Sequence, residues 1–188
     1  MTEAKVTVRL GKSADREQLR MLAKMLWADN GIVDYDEDLL EQMLSNAFNP
    51  ERASFFGVIG PEGGTIEGMV YLTMSSFPWT RKTHLEEVMS FVHPDYRTPD
   101  RINALISFSK RCVDGTDVPL IMGLFTNIRL AGKVQVYRKH FGYPAGATFA
   151  YNTKFQSEVL GKAFWGDERT RGRGKRGAAA ANGAANSQ

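Results

Sequence analysis

The run THLEEVMSFV (83–92) is β-rich, His93-Pro94 closes it, and Thr98-Pro99 shortly beyond it opens a helix. Threonine is a favoured N-cap, and proline at the first helical position costs nothing because that N–H has no intrahelical partner. This strand-to-helix junction constrains the chain more than any other feature. Ahead of it, SFFGVIG (54–60) and TIEGMVYLTM (65–74) flank Pro61-Glu62-Gly63-Gly64 and read as a hairpin. Behind it, the helix carries Ile102, Leu105, Ile106, Cys112 and Val113 on one side and ends near Gly115. The apolar segment PLIMGLFT (119–126) follows, expected as a short strand buried on both faces, then a helix over 130–141 stopped by Gly142. An antiparallel meander that runs into a β-α-β unit predicts a mixed, mostly antiparallel central sheet with helices on both faces. Cys112, on the apolar stripe, is expected in the core.

The N-terminal part supplies a strand and two helices. KVTVRL (5–10) alternates as a strand does, and Ser13 stands as an N-cap before Leu19, Leu22, Ala23, Leu26 and Trp27. Asn30-Gly31 ends that helix. Asp36 or Asp38 starts a second one, with Leu39, Leu40, Met43, Leu44, Ala47 and Phe48 on its stripe and Asn49-Pro50 as its stop. The last strand signal is GATFAYNTKF (146–155).

Charge separates the body from the tail. The net charge of +3 lies in GDERTRGRGKRG (166–177), because residues 1–165 hold 19 basic and 19 acidic side chains. One α/β domain over 1–160 is expected, followed by a basic, Gly/Ala-rich tail (161–188) that is disordered on its own. A neutral body disfavours a protein that coats nucleic acid. The tail leaves open a nucleic-acid or protein contact through residues 169–176, without aromatic side chains for base stacking. A single cysteine rules out an intrachain disulfide framework and a cysteine-based zinc site. The chain has no apolar run long enough for a transmembrane helix and no secretory pattern at residue 1, so the expected location is cytoplasmic.

There is no Walker A loop, no His-Glu-x-x-His and no Gly-x-Ser-x-Gly elbow, and the three histidines are scattered. The chemistry concentrates in residues 83–142. A helix N-terminus attracts anions, phosphates above all, and Arg97 and Arg101 flank the one at Thr98-Pro99. The plainer reading pairs those arginines with Asp95 and Asp100. Val92-His93-Pro94-Asp95-Tyr96-Arg97 resembles the V-x-P-x-x-R stretch of the GNAT family of N-acetyltransferases. Phe125-Thr126-Asn127 and Val136-Tyr137-Arg138-Lys139-His140-Phe141-Gly142 resemble its strand-ending Asn and its Y-x-K-x-G-F helix. The order of elements over residues 5–155 is similar too. The loop departs from the family's R-x-x-G-x-G/A: Asp100 and Ile102 stand at the glycine positions, and Pro99 removes a donor. Phe141-Gly142 inverts the usual pair.

The resemblance implies a GNAT-like acyl-CoA N-acyltransferase fold, in which the strand 83–92 splays from its neighbour to admit the acyl-CoA arm. It implies acetyl-CoA as cofactor, held by the main chain of Ser90 and Val92, by Arg97, Thr98, Asp100, Arg101 and Ile102, and by Asn127. It implies Glu86 as the base that takes the amine proton and Tyr137 as the acid that protonates the leaving thiolate, with no metal. Glu86 and Glu87, adjacent on a strand, face opposite ways, so one of them is a solvated strand residue on the plainer reading. Tyr137 is likewise a core-edge packing residue on that reading. Phe77 and Trp79, with Arg81 and Lys82, border the acceptor or anchor the loop. Two functions follow: acetyl transfer to a primary amine of a small molecule or protein, or a non-catalytic GNAT-like structural or binding protein. Tailed-phage proteins include degenerate domains of this type, which for the second reading places the chain in a virion.

Overall fold

The computed structural model describes residues 6–30, 34–124, 126 and 130–146. The strand expected over 146–155, the tail over 161–188 and Asn127 lie outside the described residues, apart from Gly146 itself. No helix among the described residues is long and apolar enough to cross a membrane.

Five strands stand in chain order: β1 (Val8–Leu10), β2 (Ser54–Ile59), β3 (Gly68–Ser76), β4 (Thr83–Val92) and β5 (Leu120–Ile121). β1 to β4 are antiparallel neighbours and β5 runs parallel to β4. Helices α1 (Arg16–Asn30) and α2 (Glu37–Ala47) cover one face; α3 (Pro99–Arg111) and α4 (Leu130–Phe141) cover the other. The result is the mixed, mostly antiparallel sheet between helical layers that the sequence predicts.

Each layer encloses its own core. Leu19, Leu22 and Ala23 of α1 and Leu40 and Leu44 of α2 pack on Phe56, Val58, Met69, Tyr71 and Phe91. On the opposite face Leu105 and Phe108 of α3 meet Val8, Ile59, Val70, Leu72 and Leu85. Gly57 permits that second contact: a Cβ there would lie 2.5 Å from the Phe108 ring. Asp36 caps α2, its Oδ1 accepting from the Leu39 N–H at 3.0 Å. Gly142, at φ +80, ends α4 in the left-handed region that glycine enters without strain.

Several expected boundaries move. Residues 13–15 form a separate 3₁₀ turn and α1 starts at Arg16, because buried Asp15 is tied to Arg9 of β1 at 2.7 and 2.8 Å and accepts from the Lys12 N–H at 2.8 Å. β5 is two residues long and half-buried, not a strand over 119–126 buried on both faces. Cys112 is exposed, not core: α3 ends at Arg111 and the chain turns away at the cysteine.

β4 contains one irregularity that decides what its side chains face. Tyr71 pairs with Met89 and Leu72 with Glu87, so Val88 is an extra, unpaired residue, a β-bulge. Before the bulge the odd residues face α3, as Leu85 does; after it the even ones do, as Val92 does, while Met89 and Phe91 pack toward α1 and α2. Glu87 and Ser90 therefore share a face although their numbers differ by three.

Candidate functional site

β4 and β5 pair at only two positions, Leu85 with Leu120 and Glu86 with Ile121, with one further bond from the Leu85 N–H to Pro119 O. β4 continues to Val92 along β3 while the chain after Ile121 leaves it. A gap opens at Glu87. Two strands that part leave main-chain groups that an extended ligand can pair with. The bulge at Val88 comes just after the last rung that β4 shares with β5.

The face of the gap toward α4 holds three polar side chains. Tyr137, buried on α4, brings its hydroxyl to 3.1 and 3.2 Å from the two Glu87 carboxyl oxygens and to 3.4 Å from Ser90 Oγ. Glu87 is 7% exposed and Tyr137 9%. Burial pushes the Glu87 carboxyl up to about 7, against hydrogen bonds from Ser90, Tyr137 and the Gly123 N–H that pull it down. Burial, then the charge of Glu87, holds the Tyr137 phenol well above its ordinary value.

Glu86 points to the other face, toward α1 and α2. Its carboxyl is 3.8 Å from His84 Nε2 and its side chain is 43% exposed. His84 is buried and stacks on Phe77 at 4.7 Å between ring centroids, and Phe77 stacks on Trp79 at 5.0 Å. Trp79, 79% exposed, is the open end of this three-ring column. Glu86 and Tyr137 thus approach the β4–β5 split from opposite faces of the sheet.

At the far end of β4 the turn Pro94–Tyr96 leads into α3, with Thr98 at the N-cap and Pro99 first in the helix. Arg97 donates from Nε to Val92 O at 3.2 Å and pairs with Asp29 at the end of α1 at 2.5 Å. Arg101 pairs with Glu67 at 2.8 Å and donates to Thr98 Oγ1 at 3.0 Å. The two arginines flank the helix start, yet their carboxylate partners are Asp29 and Glu67, not the neighbouring Asp95 and Asp100. Asp100 is exposed in the first helical turn, and Ile102 is half-buried. Lys133 of α4 donates to Thr126 Oγ1 at 2.7 Å and feels both Arg97 and Asp29; burial, then Arg97, lowers its pKa. Sequence reasoning missed Glu87, Asp29 and Lys133 as members of these clusters. For Glu87 the signal was present in part, since adjacent strand residues face opposite ways.

No family model matches the sequence, and no curated protein matches it. Solved structures do match. A possible acetyltransferase from Clostridium difficile 630 is 14% identical at TM-score 0.61, covering 79% of this chain and 98% of that one. AAC(6')-Iy, in complex with the bisubstrate analogue CoA-S-monomethyl-acetylneamine, is 14% identical at TM-score 0.59 over the same shares. The ribosomal-protein-alanine N-acetyltransferase of Brucella melitensis biovar Abortus 2308 is 16% identical at TM-score 0.57, again covering 79% and 98%. The chain therefore has the fold of the GNAT acetyltransferases.

Proposed function

We propose that the protein transfers an acetyl group from acetyl-CoA to a primary amine by direct attack. One observation carries the reading: the Tyr137 hydroxyl stands in the gap where β4 leaves β5, buried and held by Glu87 and Ser90. A neutral phenol has its proton available at physiological pH, which suits an acid for a thiolate leaving group. Support for the cofactor comes from the fold neighbour that holds a CoA-based bisubstrate analogue.

The residues present fit this cofactor. Beyond Glu86 the edge of β4 faces the gap and not β5, as an extended pantetheine arm requires. The main chain of Ser90 and Val92 lies on that stretch. Arg97, Thr98 and Arg101 surround the start of α3, where the helix dipole favours an anion. Asp100 and Ile102, in place of small residues, narrow that approach. When bound, the cofactor supplies an activated acyl group and a thiol leaving group. Glu86 takes the proton that the attacking amine sheds, from the face of the column Trp79-Phe77-His84. Tyr137, from the opposite face, holds the hydroxyl proton that a leaving thiolate would take up. Neither proton transfer needs a covalent enzyme intermediate.

Calorimetric titration with acetyl-CoA tests the reading. Saturable micromolar binding that Arg97→Glu weakens by about tenfold or more, together with acetylation of an amine panel, is the expected result. No binding at millimolar cofactor overturns it in favour of a non-catalytic protein that keeps the fold for assembly.

A further inference from the structure

Glu87 is a buried carboxyl with no assigned part in the transfer. Among the described residues no Lys, Arg or His lies within ion-pair distance of it. The groups acting on it are Ser90 from β4, Tyr137 from α4 and the Gly123 N–H after β5, each neutral in its ordinary state. A carboxyl taken from water and given only neutral partners keeps its proton at the cost of its charge. The acid beside it needs that proton. A phenol desolvated on α4 is a weaker donor than a free one, and an ionised carboxylate 3.1 Å away weakens it further, as the raised Tyr137 pKa reflects. A neutral carboxylic acid at the same place does the reverse: its O–H stabilises the negative charge that grows on the phenol oxygen.

We propose that Glu87 is a positioning residue that acts through Tyr137: it stores a proton in the β4–β5 gap and reloads the phenol as the phenol protonates the leaving sulfur. The inference rests on the acyl-transfer reading. In the step, the phenol O–H breaks and an S–H forms, the Glu87 O–H breaks and the phenol O–H re-forms, and Glu87 is left as a carboxylate. Nothing is oxidised or reduced, and water returns the proton to Glu87 before the next turnover. The bulge makes the arrangement possible, because it turns Ser90 onto the face of Glu87 and leaves both side chains under Tyr137. A carboxyl pKa of about 7 leaves about half of the store loaded at pH 7 and more of it below.

Two measurements on the full chain test this. The first needs no cofactor: the protein labelled with ¹³C at the glutamate carboxyls is titrated by NMR, the Glu87 signal being the one lost in Glu87→Gln. A midpoint near pH 7 is expected, moved in Tyr137→Phe. Titration in the ordinary carboxylate range overturns the store. The second is the pH profile of kcat with acetyl-CoA and an accepted amine. Wild-type kcat should fall tenfold per pH unit above that midpoint. Glu87→Gln should lower kcat about 10- to 100-fold at unchanged KM and lose this alkaline limb. Glu87→Asp, which keeps an acid one methylene shorter, should restore part of the limb and serves if the Gln variant fails to fold. A Gln variant with wild-type kcat and the same limb overturns the relay. A raised midpoint with no acetylation of any amine overturns the acyl-transfer reading and the relay with it, a failure distinct from a titration in the ordinary range.

Discussion

The two ends of the β4–β5 gap are built on opposite terms. At the inner end, Glu87 and Tyr137 are buried and Ser90 is half-buried; the three carry no cation among the described residues and satisfy one another with hydrogen bonds. At the outer end, Arg97 and Arg101 carry charge at the surface and have given it to carboxylates from distant elements, Asp29 of α1 and Glu67 ahead of β3. On the acyl-transfer proposal, the inner end holds its proton before any ligand arrives, and the outer end would exchange its carboxylate partners for the phosphates of the cofactor. The inner end should then govern rate, and the outer end affinity.

The largest effect should separate rate from affinity outright. Tyr137→Phe should cut turnover about 10²- to 10⁴-fold while calorimetry finds acetyl-CoA affinity within about twofold of wild type. Unchanged turnover would remove Tyr137 from its role, and an equal loss of affinity would make the inner end a binding site.

Next comes a stability effect confined to the inner end. The folded pKa of Glu87, about 7, lies above the 4.5 of an ordinary glutamate. The folded state therefore holds this proton more tightly than the unfolded chain. Its contribution is complete below pH 4.5, and it is lost as the pH rises through 7. That loss amounts to roughly 3 kcal/mol. Urea denaturation at pH 5 and pH 8 should show this slope in the wild type, after the other groups' common contribution is subtracted, and its absence in Glu87→Gln. Parallel slopes would place Glu87 in an ordinary, solvated setting.

The outer end predicts smaller changes, all in affinity. Arg97→Glu should weaken acetyl-CoA by about tenfold or more, as loss of a charge-assisted contact does, with kcat at saturation held. Asp29→Asn should act in the other direction, because it frees Arg97 from a surface pair worth about 0.3–1 kcal/mol. Cofactor affinity should rise a few-fold at low salt and by less as salt increases. A weaker complex in Asp29→Asn would mean that the aspartate orients the arginine for the ligand instead of competing with it.

The sequence made much of this architecture legible where local chemistry marks a boundary. Thr83–Val92 is found as read, because His93-Pro94 stops it; Asp36 begins α2, Pro99 begins α3 and Gly142 ends α4 as their residue types require. β5 was overdrawn because an apolar run reports burial and says nothing of which residues pair: PLIMGLFT is apolar throughout, but only Leu120 and Ile121 lie in the ladder. Of the site, Tyr137 and Glu86 come from resemblance; strand alternation puts Glu86 and Glu87 on opposite faces, but nothing local places Tyr137 of α4 beside Glu87. The contact of Glu87 with Tyr137 spans 50 residues of sequence, and that of Arg97 with Asp29 spans 68. No local pattern records such pairs. The bulge itself has no signature either, since Val88 is an ordinary strand residue whose extra place shows only against β3.

Val88 gives β4 two reading frames. If Val88 entered the ladder instead of standing out of it, Ser90 and Val92 would turn toward α1 and α2, and Met89 and Phe91 toward α3. Each core would then receive side chains shaped for the other, and the hydroxyl of Ser90 would leave the company of Tyr137. A chain shorter by Val88 alone would keep every rung and every face. The valine side chain, half in solvent at 50% exposure, is free to vary; what both cores require is that the residue at this place stay out of the count.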